Sequence, residues 1–141
     1  MIRQSVANIY RTITYRLKDS GESSLPKVMI VDDDANSTSL LKTLLEMDGF
    51  EVAIVLRGLE VFAKAQHFQP DVMIVDYHLN DISGIDVIHQ LRDSAEFAQL
   101  PIVMASGRDV GKEARAAGAN MFLVKPYDPG QLADQLMNLL G

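Results

Sequence analysis

Val72-Met73-Ile74-Val75-Asp76 is the stretch that decides the fold. Four successive apolar residues have the length of a strand, and their unbroken apolarity is that of a strand buried on both faces. The run ends on a carboxylate. The same pattern recurs along the chain. Val28–Val31 runs into Asp32-Asp33-Asp34, Val52–Val55 follows, Ile102–Met104 leads to Ala105 and Ser106, and Met121–Val124 runs into Lys125-Pro126. Between these runs the apolar residues fall at helical spacing. Leu40, Leu41, Leu44, Leu45 and Met47 mark a first helix, with Gly49 as its stop. A second helix is expected over Leu59–Phe68, ended by Pro70. Ile85, Val87, Ile88 and Leu91 mark a third, and residues 109–117 with Gly118 behind them a fourth. Leu132, Leu136, Leu139 and Leu140 mark a fifth, which runs to the chain end. Strict alternation with short connections predicts an α/β domain: a (βα)5 doubly wound parallel sheet with helices on both faces.

The chain has 141 residues, 48% apolar and 23% charged, enough for one domain with a substantial core. It contains no cysteine, which excludes disulfides, thiolate metal sites and cysteine nucleophiles. It has no apolar run of about 18 residues, so no membrane insertion is expected. It has no secretory pattern at its start, and a cytoplasmic location is expected. Charge is uneven. Residues 1–26 carry Arg3, Arg11, Arg16 and Lys18 against Asp19 and Glu22, a net +2, and the remaining 9 basic and 17 acidic residues give −8. So acidic a domain is a poor match for phosphate backbones, and direct nucleic-acid binding is disfavoured. Within the first segment Ile2, Val6, Ile9, Tyr10, Ile13 and Leu17 lie at helical spacing, followed by the polar stretch Asp19–Ser24 and Pro26. We expect an N-terminal amphipathic helix and linker over 1–26, and the compact domain over 27–141.

In open α/β sheets the site forms at the carboxyl ends of the strands. Four of the five strands deliver a polar or charged group there: Asp32, Asp33 and Asp34, then Asp76, Ser106 and Lys125. Singly, each has a plain structural role. An aspartate after a strand is often a helix cap, and for Asp34, just before the first helix, that role is expected. Together, Asp32, Asp33 and Asp76 repel one another and point to a bound cation. Oxygen ligands with room for water and a phosphate suit Mg²⁺. A carboxylate can then act as nucleophile toward phosphorus, while a lysine and a hydroxyl hold the phosphoryl oxygens.

With these residues in place, positions 27–141 resemble the receiver domain of bacterial two-component response regulators. The resemblance rests on Val31-Asp32-Asp33, on Asp76 with Leu79 and Gly84, on Ser106 and on Lys125-Pro126, in that order. It implies a flavodoxin-like strand order of 2-1-3-4-5. It implies that Asp76 accepts a phosphoryl group from a phosphohistidine on a sensor histidine kinase or histidine phosphotransfer protein. Mg²⁺ (or Mn²⁺) would be held by Asp32, Asp33, Asp76 and the backbone carbonyl of His78, with Asp32 acting through water. Ser106 and Lys125 would hold the phosphoryl oxygens, Phe122 would report the Ser106 movement, and His78 and Arg108 would tune the phosphoryl lifetime. The bond before Pro126 would be cis. The surface around the fourth helix, fifth strand and fifth helix would switch binding of a downstream protein target or a homodimer. Such a domain is a signalling module rather than an enzyme, limited to self-catalysed phosphotransfer and autodephosphorylation. The pattern departs from the family at Asn80, where proline is common, and at Gly107, where alanine is.

Two alternatives compete. A haloacid-dehalogenase-type phosphatase would use Asp32 as nucleophile, and Asp32-Asp33-Asp34 satisfies its Asp-x-Asp signature, but residue 36 is Asn and no late acid pair follows Lys125. A phosphorylation-independent interaction module is the other. The sequence closes at Gly141, after the last helix, which fits both a stand-alone docking receiver and one cut from a hybrid kinase.

Overall fold

The computed structural model describes residues 25–141. The expected helix over 2–17 and the linker lie outside the described residues. In chain order the elements are β1 (Lys27–Val31), α1 (Ala35–Met47), β2 (Glu51–Val55), a 3₁₀ turn (Gly58–Glu60), α2 (Val61–Phe68), β3 (Val72–Asp76), α3 (Gly84–Arg92), β4 (Ile102–Ser106), α4 (Gly111–Ala117), β5 (Met121–Val124) and α5 (Pro129–Leu140). The five strands form one sheet in the order β2-β1-β3-β4-β5, every pair parallel. The α/β doubly wound reading therefore stands.

Side-chain alternation along the strands divides the core between the two faces. Met29, Val31, Met73, Val75, Ile102 and Met104 pack with Val61 and Ala65 of α2, Val87, Ile88 and Leu91 of α3, and Ala114 and Ala117 of α4. Val28, Ile30, Val72, Ile74 and Val103 pack instead with Leu45 of α1 and with Leu132, Ala133, Leu136 and Met137 of α5. The unbroken apolar runs arise because both sets are buried. β5 lies at the sheet edge and splits its residues: Phe122 joins the first face, Met121 and Leu123 the second.

Element ends differ from the sequence reading in small ways. Asp76 and Ser106 are the last residues of their strands rather than the first of the loops, because the ladder still pairs Asp76 with Ala105 and Ser106 with Val124. The second helix opens with the 3₁₀ turn at Gly58, and the fourth starts at Gly111, whose amide donates to the Asp109 carboxylate (3.2 Å). Gly118 ends α4 at φ +119°, the left-handed geometry that glycine adopts without strain.

Gly84 fixes where α3 begins. Its amide donates to the Tyr77 carbonyl (2.8 Å), and a Cβ there would run into the backbone carbonyl oxygen of Asp76. At Gly107 a Cβ would meet nothing within 4 Å. Gly84→Ala should therefore destabilise the domain by about 1–3 kcal/mol, the usual range for overpacking. Gly107→Ala should leave the thermal midpoint near wild type. Calorimetry on both variants checks the contrast.

Candidate functional site

Strand register builds the site. Val31 of β1 lies beside Val75 of β3, so Asp32 and Asp76 leave adjacent strands at one level. Across the sheet, the Lys125 amide donates to the Ser106 carbonyl (2.8 Å), which places the lysine at the same edge. Carboxylate oxygens of Asp32, Asp33 and Asp76 lie within 4.8 Å of one another. Lys125 Nζ reaches 3.1 Å to Asp32 Oδ2 and 3.0 Å to Asp76 Oδ1. The Asp76 side chain is only 12% exposed, but it opens on the surface.

Electrostatics follow from this crowding. Burial, abetted by the charges of Asp32 and Asp33, holds the Asp76 pKa above the usual 3.8 despite the Lys125 contact. Burial works against the Lys125 ammonium, but its hydrogen bond to Asp76 and the charges of Asp32 and Asp76 outweigh that, and its pKa is raised. Three carboxylates thus face one ammonium. The all-oxygen donor set and its uncompensated charge fit a hard divalent cation.

The remaining site residues divide clearly. Asp34 is the N-cap of α1, accepting from the amides of Asn36 (3.0 Å) and Ser37 (3.2 Å), and Ser37 lowers its pKa. Its own amide donates to Asp32 Oδ1 (3.0 Å), which orients that carboxylate. Ser106 is fully buried, and its hydroxyl accepts from the Arg108 amide (3.2 Å). His78 and Arg108 are exposed, and the His78 ring lies against Tyr77 at 4.7 Å. Phe122 is half-buried against α4, with its ring edge beside Gly111. The Lys125–Pro126 bond is cis.

Two contacts lay beyond the sequence reading. Asp81 accepts from the amides of Gly58, Leu59 and Ile82, each at 2.9 Å, and so pins the loop after Asp76 onto the turn after β2. Tyr77 donates to Glu113 Oε1 (2.8 Å), tying that loop to α4. Neither link between segments has a local sequence signal, because Gly58 and Leu59 lie 23 and 22 residues from Asp81, and Glu113 lies 36 from Tyr77.

A sequence model of the response regulator receiver domain matches residues 28–137. The chain belongs to the response regulator receiver family. It is 36% identical over 121 residues to the phosphate regulon transcriptional regulatory protein PhoB of Rhizobium meliloti, covering 82% of this chain and 52% of PhoB. The chain spans about half the length of the first curated relatives it matches. The polar-differentiation response regulator DivK of Brucella anthropi is 27% identical, covering 83% of this chain and 98% of DivK. Among solved structures, the chemotaxis response regulator CheY4 of Vibrio cholerae superposes with a TM-score of 0.77 at 29% identity, covering 82% of this chain and 99% of CheY4. Receiver domains are signalling domains rather than classical enzymes, and the family match is to that domain. Among the described residues no helix is long and apolar enough to cross a membrane.

Because the folded-state pKa of Asp76 is raised, the native state holds its proton more tightly than the unfolded chain. Stability falls as pH rises through the window between 3.8 and that raised value, and the whole penalty is present above it. Asp76→Asn should accordingly raise the thermal midpoint at neutral pH with divalent cations chelated, and the gain should vanish near pH 3. Chelated thermal scans across pH check this; a lower midpoint at neutral pH would contradict it. Asp81 behaves oppositely. Its backbone hydrogen bonds, first that from Leu59, depress its pKa to about 2, so its contribution is full above 3.8 and is lost as pH falls through 2. Asp81→Ala should lower the midpoint at neutral pH, and the deficit should shrink as pH falls toward 2.

Proposed function

We propose that this receiver domain stores a phosphoryl group on Asp76. The observation that carries the reading is the single edge where Asp32, Asp33 and Asp76 converge within 4.8 Å with Lys125 between Asp32 and Asp76. An Asp76 carboxylate oxygen attacks phosphorus of a phosphohistidine on a sensor kinase or phosphotransfer protein. The P–O bond forms as the P–N bond breaks, and the electron pair leaves with the imidazole. Asp32, Asp33 and Asp76, with the His78 carbonyl, would hold Mg²⁺, which supplies charge neutralisation at the phosphoryl oxygens. Lys125 exchanges its carboxylate contact for a phosphoryl oxygen. The Ser106 hydroxyl, already an acceptor from Arg108, turns its proton to another.

The added charge draws Ser106 toward the site, and Phe122 beside α4 responds through packing alone. The face formed by α4, β5 and α5 then takes a second arrangement that a downstream protein or a second copy reads. Tyr77 and Glu113 join the acceptor loop to that face. His78 and Arg108, exposed beside the site, modulate hydrolysis of the acyl phosphate. Such phosphotransfer belongs to the cytoplasm, and the domain acts through protein contacts rather than by binding nucleic acid itself.

Acetyl phosphate with Mg²⁺ supplies the test, read on a phosphate-affinity gel. Wild type should acquire one phosphoryl group, and chelation or Asp33→Asn should suppress it. Asp76→Asn should abolish it, and Lys125→Ala should slow it on the order of 10²–10³-fold, the usual cost of removing one charge-stabilising donor. Undiminished labelling of Asp76→Asn would refute the assignment.

A further inference from the structure

Tyr77 follows the acceptor position and is fixed on several sides. Its amide donates to the Ala105 carbonyl (2.9 Å), and its carbonyl accepts from the Gly84 amide (2.8 Å). Its ring packs on the core layer shared by α2, α3 and α4, with the His78 ring at 4.7 Å. Its hydroxyl reaches out of that layer and donates to Glu113 Oε1 (2.8 Å). Glu113 is exposed in the first turn of α4. The hydrogen bond therefore joins a residue held by the sheet to a residue carried by a helix.

α4 is the less firmly held of the two. It is 7 residues long, and Val110 at its N-cap carries no polar group to cap it. The Gly111 amide is held by Asp109 of the same connector (3.2 Å), so connector and helix start form one unit. Only residues 107–110 separate Ser106 from α4, and around Gly107 there is open space. Under the proposed function Ser106 is drawn toward Asp76. That displacement pulls on the short connector and shifts Glu113 relative to Tyr77. O–H···O hydrogen bonds occupy roughly 2.5–3.0 Å, so a shift of about 1 Å ends this one.

We propose that the Tyr77–Glu113 hydrogen bond is a latch that holds α4 in its unphosphorylated position and opens when Asp76 is phosphorylated. The inference rests on the phosphoacceptor reading of Asp76 and adds a threshold to it. The latch stabilises one arrangement of α4 and contributes nothing to the other, so it opposes the switch by its own net worth. Tyr77 is thus a positioning residue, acting on the site through α4. The coupling is reciprocal. Glu113 is exposed, and a partner whose cationic side chain takes its carboxylate opens the latch from the α4 side and favours the phosphorylated state.

Beryllofluoride with Mg²⁺, a stand-in for the phosphoryl group, tests this by calorimetric titration of the full-length chain. Tyr77→Phe keeps the packed ring and deletes the hydroxyl, and Glu113→Ala deletes the acceptor. Each should bind beryllofluoride about fivefold more tightly than wild type, the equilibrium equivalent of one net hydrogen bond. The double variant should bind no more tightly than either single one, because both remove the same bond. A merely structural bond would lower the thermal midpoint of the variants without tightening the complex. Wild-type affinity in both single variants would overturn the proposal. Weaker binding would overturn it too, since the bond would then belong to the phosphorylated arrangement. Asp76→Asn separates the two levels. If it abolishes binding while the latch variants match wild type, the latch alone fails. If it binds beryllofluoride as wild type does, or if wild type does not bind, the phosphoacceptor reading fails and the latch with it.

Discussion

Three carboxylates and one ammonium share the carboxyl edge of β1, β3 and β5. The parallel register enforces their meeting: Val31 beside Val75 sets Asp32 next to Asp76, and the bond from the Lys125 amide to Ser106 brings the lysine level with both. Burial of the Asp76 carboxylate, abetted by the charges of Asp32 and Asp33, raises its pKa and costs stability. A fold tolerates such a cluster when a cation and a charged ligand complete it. The hydrophobic layers on either side hold the strands that carry this acidic edge, where the proposed phosphoryl chemistry would take place.

The site also reaches toward the surface that would read it. Ser106 is buried at the end of β4, within the layer that contains Phe122 and α4. The Tyr77–Glu113 hydrogen bond is a second link between the acceptor loop and α4. Under the proposed function, these packed and hydrogen-bonded groups are the route by which a displacement at Asp76 would reach α4. Asp81 limits how the loop can respond, because three amides hold it to the adjoining turn. It stiffens a loop that has Asn80 in place of proline.

Most of this arrangement was legible in the sequence. The apolar runs at 28–31, 72–75 and 102–104 announce buried strands because both faces of the sheet are covered. The acidic edge follows from the rule that the carboxyl ends of parallel strands converge. Strand order was less accessible, since periodicity says nothing of which strands are neighbours; it came only with the family resemblance. The exact ends of β3 and β4, at Asp76 and Ser106, are not legible, because a polar side chain at a strand end looks the same in sequence whether or not its backbone stays in the ladder. The Asp81 and Tyr77 contacts were out of reach altogether, since each depends on tertiary distance between segments without a shared pattern.

Borohydride trapping tests directly whether Asp76 carries the phosphoryl group. Reduction of an aspartyl phosphate converts that residue to homoserine. After incubation with acetyl phosphate and Mg²⁺, followed by reduction and peptide mass mapping, homoserine should appear at position 76 and at no other aspartate. Homoserine at position 32 or 33 with Asp76 intact would contradict the account.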